Sequence, residues 1–242
     1  MKKYLFEAFD GLNRLAPGST ESTQQAIKLL PADFLPKKIL DIGCGVGEST
    51  LLLAKHFSNA EIIAIDNNQQ YINELESKAT NNIKPKVMSM FEMDFEPESF
   101  DLIWSEGSIY IAGFQTGLKD WKKFLKNNGY FVCSEISWLI DQYSDASKYF
   151  WNEAYPEIDT IENNLQKIQS AGYKVLGHFV LPKSNWKENY YAPLQKNLER
   201  MKTTYNNDEK AQQVIALIQS EIDLYKENLD DYSYVFYIMK KI

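Results

Sequence analysis

Residues that could do chemistry gather first in a glycine-rich turn. Asp41 ends an apolar run there, and Gly43, Gly45 and Gly47 follow at alternate positions, just before a stretch with helical periodicity. Glycine adopts positive φ and lets backbone amides approach a ligand without a Cβ in the way. Asp66 ends the next apolar run, 19 residues beyond Gly47. That spacing suits a carboxylate that accepts hydrogen bonds from a ribose diol.

Two classes of ligand could use this turn. A nicotinamide dinucleotide requires the spacing Gly-x-Gly-x-x-Gly, so that a helix N-terminus meets the pyrophosphate. The alternate glycines of the turn do not match it. S-adenosylmethionine carries a positive sulfonium and no phosphate, so an acid such as Asp41 at a strand end suits it electrostatically. The turn therefore favours the sulfonium cofactor.

The elements that must position these residues alternate along the chain. Alternating strands and helices are typical of a doubly wound parallel sheet covered on both faces, so the sequence predicts an α/β fold. Amphipathic helices are predicted between most strands, including one over 114–126 that ends at Asn127-Asn128-Gly129 and one over 158–170. Seven apolar or β-branched runs predict strands at 38–42, 61–65, 85–90, 100–104, 130–136, 173–181 and 232–239.

The length of 242 residues fits one domain, 1–242, because single α/β domains often exceed 200 residues. Two parts lie outside the simple alternation. Segment 1–35 precedes the first strand and is expected to fold over the carboxyl edge of the sheet. Residues 183–230 look helical, with a break near Asn206, and are expected to form a helical insertion that acts as a mobile lid over the ligand crevice.

The charge balance bears on partners. The net charge is −7, and affinity for nucleic acid comes mainly from Lys and Arg that neutralise phosphates. We therefore expect no nucleic-acid partner. The one basic cluster, Lys119, Lys122, Lys123 and Lys126, is predicted to lie on the solvated face of the 114–126 helix.

Membrane, secretory and metal-binding roles are not predicted. The longest stretch without a charged side chain, 107–118, is too short for a bilayer, which needs about 20 apolar residues. Glu7 and Asp10 interrupt any secretory signal, so a cytoplasmic location is expected. Two cysteines and two histidines without ligand spacing indicate neither a disulfide framework nor a metal site.

The glycine turn and several further segments together resemble the class I S-adenosylmethionine-dependent methyltransferases. The similarity is closer to a bacterial small-molecule branch described as ubiquinone/menaquinone-biosynthesis-like. It implies a Rossmann-like seven-stranded sheet that is mostly parallel, with an antiparallel last strand and a helical insertion before it. The segments that carry the resemblance span nearly the whole chain: 15–19, 41–47, 102–107, 134–135, 154–157, 178–179 and 234–237.

The resemblance also implies where S-adenosyl-L-methionine would bind. Its methionine part would lie at the glycine turn, its ribose at Asp66 and its adenine beside Ser89 and Met90. Many relatives have Asp where this chain has Ser89. The predicted cofactor-binding residues are Asp41, Gly43, Cys44, Gly45, Asp66, Asn67, Ser89, Met90 and Ser105.

Methyl transfer is an in-line displacement, for which an enzyme mainly aligns the acceptor and excludes water. Glu106 and Tyr110 follow the fourth strand and Glu135 lies in the fifth, so they are the predicted catalytic residues, with positioning or packing as the alternative. The aromatic residues predicted to wall the substrate pocket, with core packing as the alternative, are Trp138, Trp151, Tyr155 and Tyr190.

The sequence thus predicts transfer of a methyl group from S-adenosylmethionine to a small molecule. Two alternatives stay open: a non-catalytic S-adenosylmethionine-binding protein, and an RNA or protein methyltransferase. The acceptor and the methylated atom are not predicted. A homodimer is also left open.

Overall fold

One sheet runs through the computed structural model, which describes residues 1–242. Its strands are β1 (Lys38–Ile42), β2 (Glu61–Asp66), β3 (Ile83–Val87), β4 (Phe100–Ser105), β5 (Leu125–Trp138), β6 (Asp159–Thr160), β7 (Tyr173–Val180) and β8 (Tyr232–Lys241). The order is β3-β2-β1-β4-β5-β8-β7, with β6 paired to β5. Only β8 runs antiparallel to its neighbours. The predicted doubly wound, mostly parallel sheet with an antiparallel last strand is confirmed, and the two-residue β6 adds an eighth strand.

Helices cover both faces of this sheet. None of them is both long and apolar enough to span a lipid bilayer. Short 3₁₀ turns lie at Ile109–Ile111 and Trp121–Phe124, and a π-helical segment at Lys187–Tyr191 joins α8 to α9. The helices are α1 (Lys2–Ala8), α2 (Thr20–Lys28), α3 (Glu48–His56), α4 (Gln69–Lys78), α5 (Phe114–Asp120), α6 (Asp145–Ala154), α7 (Ile161–Ser170), α8 (Lys183–Trp186), α9 (Ala192–Thr204) and α10 (Glu209–Glu227).

The sheet separates two apolar cores, because successive strand residues point to opposite faces. Along β8, Tyr234 and Phe236 belong to a cluster of 39 buried residues, whereas Val235 and Tyr237 belong to one of 19 on the other face. The larger cluster also takes in residues of α1, α2, α9 and α10. The N-terminal segment and the insertion therefore pack on the same side of the sheet.

The prediction of a helix over 114–126 is wrong at the C-terminal end. Helical structure stops at Phe124, and β5 starts at Leu125, whose side chain is fully buried beside β4. Asn128, expected to end the helix, lies within the strand with φ of 61°. Because Lys126 is in the strand, the four lysines do not share one helix face. Lys122 instead donates to the carbonyl oxygens of Ala171 and Gly172, at 2.8 Å each.

Two other boundaries also differ. The third strand ends at Val87, so Ser89 and Met90 lie in the loop that follows it. The helix predicted over 158–170 begins at Ile161, because Asp159 and Thr160 pair with the end of β5. Thr160 caps that helix by accepting a hydrogen bond from the amide of Asn163 at 3.2 Å.

The insertion divides near the predicted break. Helix α9 ends at Thr204, and the carboxylate of Asp208 caps α10 by accepting from the amide of Ala211 at 3.0 Å. Trp186 anchors the base of the insertion by stacking on Tyr225, with ring centroids 4.6 Å apart. Its indole N–H donates to Ser233 of β8 at 2.9 Å. The aromatic residues at this base thus pack the insertion onto the last strand.

Candidate active site

A cavity of about 360 Å³ opens at the carboxyl ends of β1 to β4. The strand order reverses between β1 and β4, and ligands of doubly wound sheets bind at such a switch point. Its floor comes from loops after the four strands: 43–49, 66–71, 88–91 and 106–111. Its cover comes from α1 and the loop 13–17, so the structure places part of the 1–35 segment over this sheet edge.

The glycine turn forms the first wall of the cavity. Gly43, Gly45 and Gly47 all have positive φ, at 72°, 52° and 93°. A Cβ on Gly43 would stand 2.5 Å from Cβ of Ser108, so a larger residue there would clash with the loop after β4. The amides of Gly43 and Cys44 donate to the Ile65 carbonyl at 2.9 and 3.0 Å. These bonds hold the turn against the end of β2.

Asp66 closes the turn from the side of β2. Its carboxylate accepts from the Gly45 amide at 3.1 Å and from the Asn68 amide at 2.9 Å. Burial raises the pKa of Asp66, and these backbone donors counteract that rise. Asp66 and its exposed neighbour Asn67 both line the cavity. The carboxylate is thus fixed at the cavity wall, and its remaining lone pairs can accept from a ligand hydroxyl.

Asp41 lies beneath the turn rather than on the cavity wall, and only 1% of it is exposed. Its Oδ2 accepts from the hydroxyl of Thr50 at 2.6 Å and from that of Ser49 at 3.3 Å. Its Oδ1 is buried with no partner. Burial raises the pKa of Asp41 to about 7. Asp41 therefore supports the turn from beneath through the Thr50 and Ser49 hydroxyls, and its side chain does not face the cavity.

Glu106, a predicted catalytic residue, lines the cavity and holds the N-terminal segment. Its Oε1 pairs with Nη1 of Arg14 at 2.6 Å. The Thr23 hydroxyl lies 3.1 and 3.0 Å from its two carboxyl oxygens, and the Trp104 indole N–H donates at 3.3 Å. This carboxylate is therefore fully engaged within the protein, and the geometry supports a positioning role more directly than proton transfer.

The other two predicted catalytic residues lie at different depths. Tyr110 lines the cavity from the 3₁₀ turn after β4. Glu135 is 1% exposed and does not line it. Burial raises the pKa of Glu135 to about 8, although the Tyr155 hydroxyl and the charge of Lys167 act in the opposite direction.

The four aromatic residues predicted to wall a substrate pocket do not line the cavity. Trp138 stacks on Tyr143 with centroids 3.7 Å apart, and Trp151 packs edge-on against Tyr232. The Tyr155 hydroxyl accepts from the Phe114 amide at 3.1 Å. No residue of 183–230 lines the cavity either. Tyr190 of the insertion instead stacks on Phe9, which lines the cavity, with ring centroids 6.2 Å apart.

Of the remaining predicted cofactor residues, Cys44 and Met90 line the cavity, whereas Ser89 and Ser105 do not. The Ser89 hydroxyl accepts from the Phe91 amide at 3.2 Å and so shapes the loop after β3. Ser105 is buried, with its hydroxyl 2.7 Å from that of Ser108. Met88, Met90 and Phe91 thus form an apolar surface in the loop after β3.

Several cavity residues were not predicted from the sequence. Arg14 and Phe9 come from the N-terminal segment, Tyr71 comes from α4, and Ser108 comes from the loop after β4. The signal for Arg14 was its rarity, because the chain has only two arginines. No local pattern marks the others as ligand-facing.

The charges on the cavity wall are mostly negative. Glu48, Asp66 and Glu106 line it, and the only positive side chain there is Arg14, which pairs with Glu106. A pyrophosphate would meet excess negative charge, whereas a sulfonium would be attracted. The wall therefore favours a cationic ligand.

Comparison with known proteins places this geometry in a family. A methyltransferase domain model matches residues 36–198, more than half of the chain. The sterol 24-C-methyltransferase of Candida albicans is 25% identical over 181 residues, which are 69% of this chain and 47% of that protein. The phosphoethanolamine N-methyltransferase of Triticum aestivum is 24% identical over 176 residues, 69% of this chain and 34% of that protein. The chain spans about half the length, or less, of these curated relatives.

Solved structures show the same fold. A methyltransferase of Geobacter sulfurreducens, solved with S-adenosyl-L-homocysteine, superposes with a TM-score of 0.84 at 15% identity over 100% of this chain and 99% of that one. Phosphoethanolamine N-methyltransferase 2 of Haemonchus contortus, solved with S-adenosyl-L-methionine, gives 0.72 at 17% identity over 100% and 57%. The sheet order, the glycine turn at its switch point and the match over residues 36–198 together show that this chain belongs to the methyltransferase domain family.

Proposed function

We propose that the protein transfers the methyl group of S-adenosylmethionine to a small-molecule acceptor. The observation that carries this proposal is the acidic cavity between the glycine turn and Asp66, because its charge suits a sulfonium and its turn suits a close backbone approach. Solved relatives of the same fold hold S-adenosylmethionine or its product. The cofactor would supply an activated methyl group, and the chain would hold it and align the acceptor.

Different lining residues suit the three parts of the cofactor. The glycine turn, where no Cβ stands in the way, suits a close approach of the methionine part. The Asp66 carboxylate, with Asn67 beside it, suits the ribose hydroxyls. Met88, Met90 and Phe91 suit the adenine face.

A small acceptor is supported by the way the cavity is covered. Helix α1 and the loop 13–17 lie across it, held by the Arg14–Glu106 ion pair, and such a cover leaves little room for a polymer. The net charge of −7 gives no support for RNA as a partner. Sterol and phosphoethanolamine methyltransferases are distant relatives, and the ubiquinone/menaquinone-like branch stays a prediction from the sequence.

The proposal is tested by incubating the protein with methyl-labelled S-adenosylmethionine and three separate acceptor pools: small molecules of a cell extract, total RNA and proteins, with buffer alone as the control. We expect label in the small-molecule pool only. Label in RNA or protein would contradict the choice of acceptor. Binding of the cofactor with no transfer into any pool would support a non-catalytic binding protein instead.

A further inference from the structure

One wall of the cavity is left over once the cofactor is placed as proposed. The glycine turn, Asp66 and the loop after β3 suit the three parts of the cofactor, whereas α1, the residue that follows it and the 3₁₀ turn after β4 supply further lining. We define the acceptor wall as Leu5, Phe6, Phe9, Tyr110 and Ile111, all of which line the cavity. Apart from the hydroxyl of Tyr110, the side chains of this wall are hydrocarbon. The wall is therefore almost wholly apolar.

Helix α1 carries apolar side chains on two of its sides. Ala8 is fully buried in the larger core cluster, and Tyr4, one turn earlier, packs against the same cluster. Leu5 and Phe6 belong to neither core and line the cavity instead. A helix that packed only through its core face would carry polar residues here. The second apolar side therefore indicates a surface that a ligand covers.

The 3₁₀ turn after β4 repeats this arrangement. Ile109 is fully buried in the smaller core cluster, whereas Ile111 belongs to neither core and lines the cavity. Leu5 is 42% exposed and Ile111 is 52% exposed, so both lie where the cavity meets solvent. Exposed apolar groups that meet at a cavity are typical of a ligand-binding surface. An apolar molecule bound there would remove both side chains from water.

No unpaired charge accompanies the acceptor wall. Where the N-terminal segment and the loop after β4 line the cavity, the charged side chains are Arg14 and Glu106, and they pair with each other at 2.6 Å. In this part of the cavity, a carboxylate or phosphate of the acceptor would find no unpaired cation, and an ammonium group would find no unpaired acid. A charge brought to this wall would lose water without gaining a partner, which costs free energy.

The aromatic rings of the wall are also poorly placed to hold a cation. Phe9 stacks on Tyr190 with centroids 6.2 Å apart, which covers one face of the Phe9 ring. Nζ of Lys2 lies over the ring of Phe6, 5.7 Å from its centroid. A cationic acceptor at Phe6 would therefore meet a like charge. The rings suit a neutral acceptor better than a charged one.

Resting on the proposed function, we infer that the acceptor is a neutral small molecule with an apolar body, which lies against the acceptor wall. Burial of that body against Leu5 and Ile111 would supply the binding free energy. The hydroxyl of Tyr110 can form a hydrogen bond with one polar group of the molecule, which would orient it toward the methyl donor. The class is thus an apolar skeleton with a single polar group, as in a short alkylphenol.

The test uses three phenols that differ in the end group of one short side chain. That group is a methyl in 4-propylphenol, an ammonium in tyramine and a carboxylate in 3-(4-hydroxyphenyl)propanoate. Each is titrated by calorimetry into the protein saturated with S-adenosylhomocysteine. We expect 4-propylphenol to bind at least about tenfold more tightly than either charged probe, because a charged end group must lose water without a partner. Equal binding of the three, tighter binding of a charged probe, or no binding of 4-propylphenol would overturn the inference.

Two double variants locate the binding surface. Leu5→Ser/Ile111→Ser should weaken binding of 4-propylphenol at least about tenfold and should still bind S-adenosylhomocysteine. The matched control is Leu35→Ser/Leu217→Ser, because these two residues are also exposed, at 85% and 58%, and neither lines the cavity. The control should bind 4-propylphenol like the unmodified protein. An equal loss in the two double variants, or no loss in the first, would contradict the inference.

Other occupants of the acceptor wall would give different results. A lipid surface would make the protein sediment with phosphatidylcholine vesicles, and a second copy of the chain would give a dimer in sedimentation velocity. We expect neither association to depend on Leu5 and Ile111. Vesicle binding or a dimer that Leu5→Ser/Ile111→Ser abolishes would overturn the inference, because a membrane or a protein would then cover the wall.

A last arm separates this inference from the proposed function. The small molecules of a cell extract are divided between octanol and neutral water, and each fraction is then incubated with the protein and methyl-labelled S-adenosylmethionine. Label in molecules of the octanol fraction would support the inference. Label confined to the water fraction would overturn it and leave the proposed function standing. No transfer into either fraction would contradict the proposed function itself.

Discussion

Arg14 and Glu106 join the N-terminal segment to the edge of the sheet through an ion pair of 2.6 Å, although 92 residues separate them in sequence. Their side chains are only 12% and 6% exposed. Both line the cavity, so one contact fixes the cover and one wall of the site. The same contact explains why Glu106 is a poor candidate for a free base.

Removing Arg14 should destabilise the protein strongly. Arg14→Gln leaves a mostly buried carboxylate without its cation, which typically costs about 3–5 kcal/mol. Because Thr23 and Trp104 still donate to Glu106, we expect a loss near the lower end of that range, about 3 kcal/mol, by urea unfolding.

The control for Arg14 is Lys78→Gln, which breaks an ion pair with Glu74 whose side chains are 34% and 40% exposed. Such a helix surface pair is worth about 0.3–0.5 kcal/mol. Equal losses in the two variants would show that the Arg14–Glu106 pair is no more than a surface contact.

Cofactor affinity should depend on Asp66. Asp66→Ala removes a charged acceptor at the ribose position, and we expect the Kd for S-adenosylhomocysteine to rise about ten- to a hundredfold, or roughly 1.5–3 kcal/mol. Calorimetry measures this Kd, and Asp94→Ala, which changes an exposed acid in the loop between β3 and β4, should bind like the unmodified protein. An unchanged Kd in Asp66→Ala would place the ribose elsewhere.

Asp41 should make stability depend on pH. Its pKa is raised from 3.8 to about 7 in the folded protein, so the folded state holds a proton that the unfolded chain loses near pH 4. The contribution of Asp41 to stability therefore falls as pH rises from about 4 to about 7 and is constant above that.

We accordingly expect the free energy of unfolding of Asp41→Asn, relative to that of the unmodified protein, to rise by about 2.5 kcal/mol between pH 5 and pH 8, at about 1.4 kcal/mol per pKa unit. Urea unfolding at the two pH values measures this gain. Asp94→Asn, an exposed acid, should show no such pH dependence. A difference that shrinks with rising pH would contradict the burial of a mostly protonated Asp41.

The N-terminal segment, rather than the insertion, should respond to the cofactor. Leu5 and Phe6 of α1 line the cavity, and so does Phe9, which follows α1 and stacks on Tyr190 with centroids 6.2 Å apart. We expect amide hydrogen exchange over residues 2–17 to slow at least tenfold when S-adenosylhomocysteine is bound, with little change over 209–227. If exchange slowed only over residues 183–230, the result would contradict this prediction and support the insertion as the mobile lid.

The sequence was most informative where function depends on local spacing. The glycine turn, Asp66 and the alternation of strands and helices are patterns within short windows, and the structure places them at one sheet edge. The Arg14–Glu106 pair depends on packing across 92 residues, which no local pattern encodes. The sequence does not distinguish a core role from a pocket role for aromatic residues such as Trp138, because both roles require a large apolar side chain.

The most direct test of the account is a calorimetric titration of the unmodified protein with S-adenosylhomocysteine and, separately, with NAD. The alternate glycines and Asp66 predict micromolar binding of S-adenosylhomocysteine, and the acidic cavity wall predicts much weaker binding of the dinucleotide, which carries two phosphates. Tighter binding of NAD, or no binding of S-adenosylhomocysteine, would contradict it.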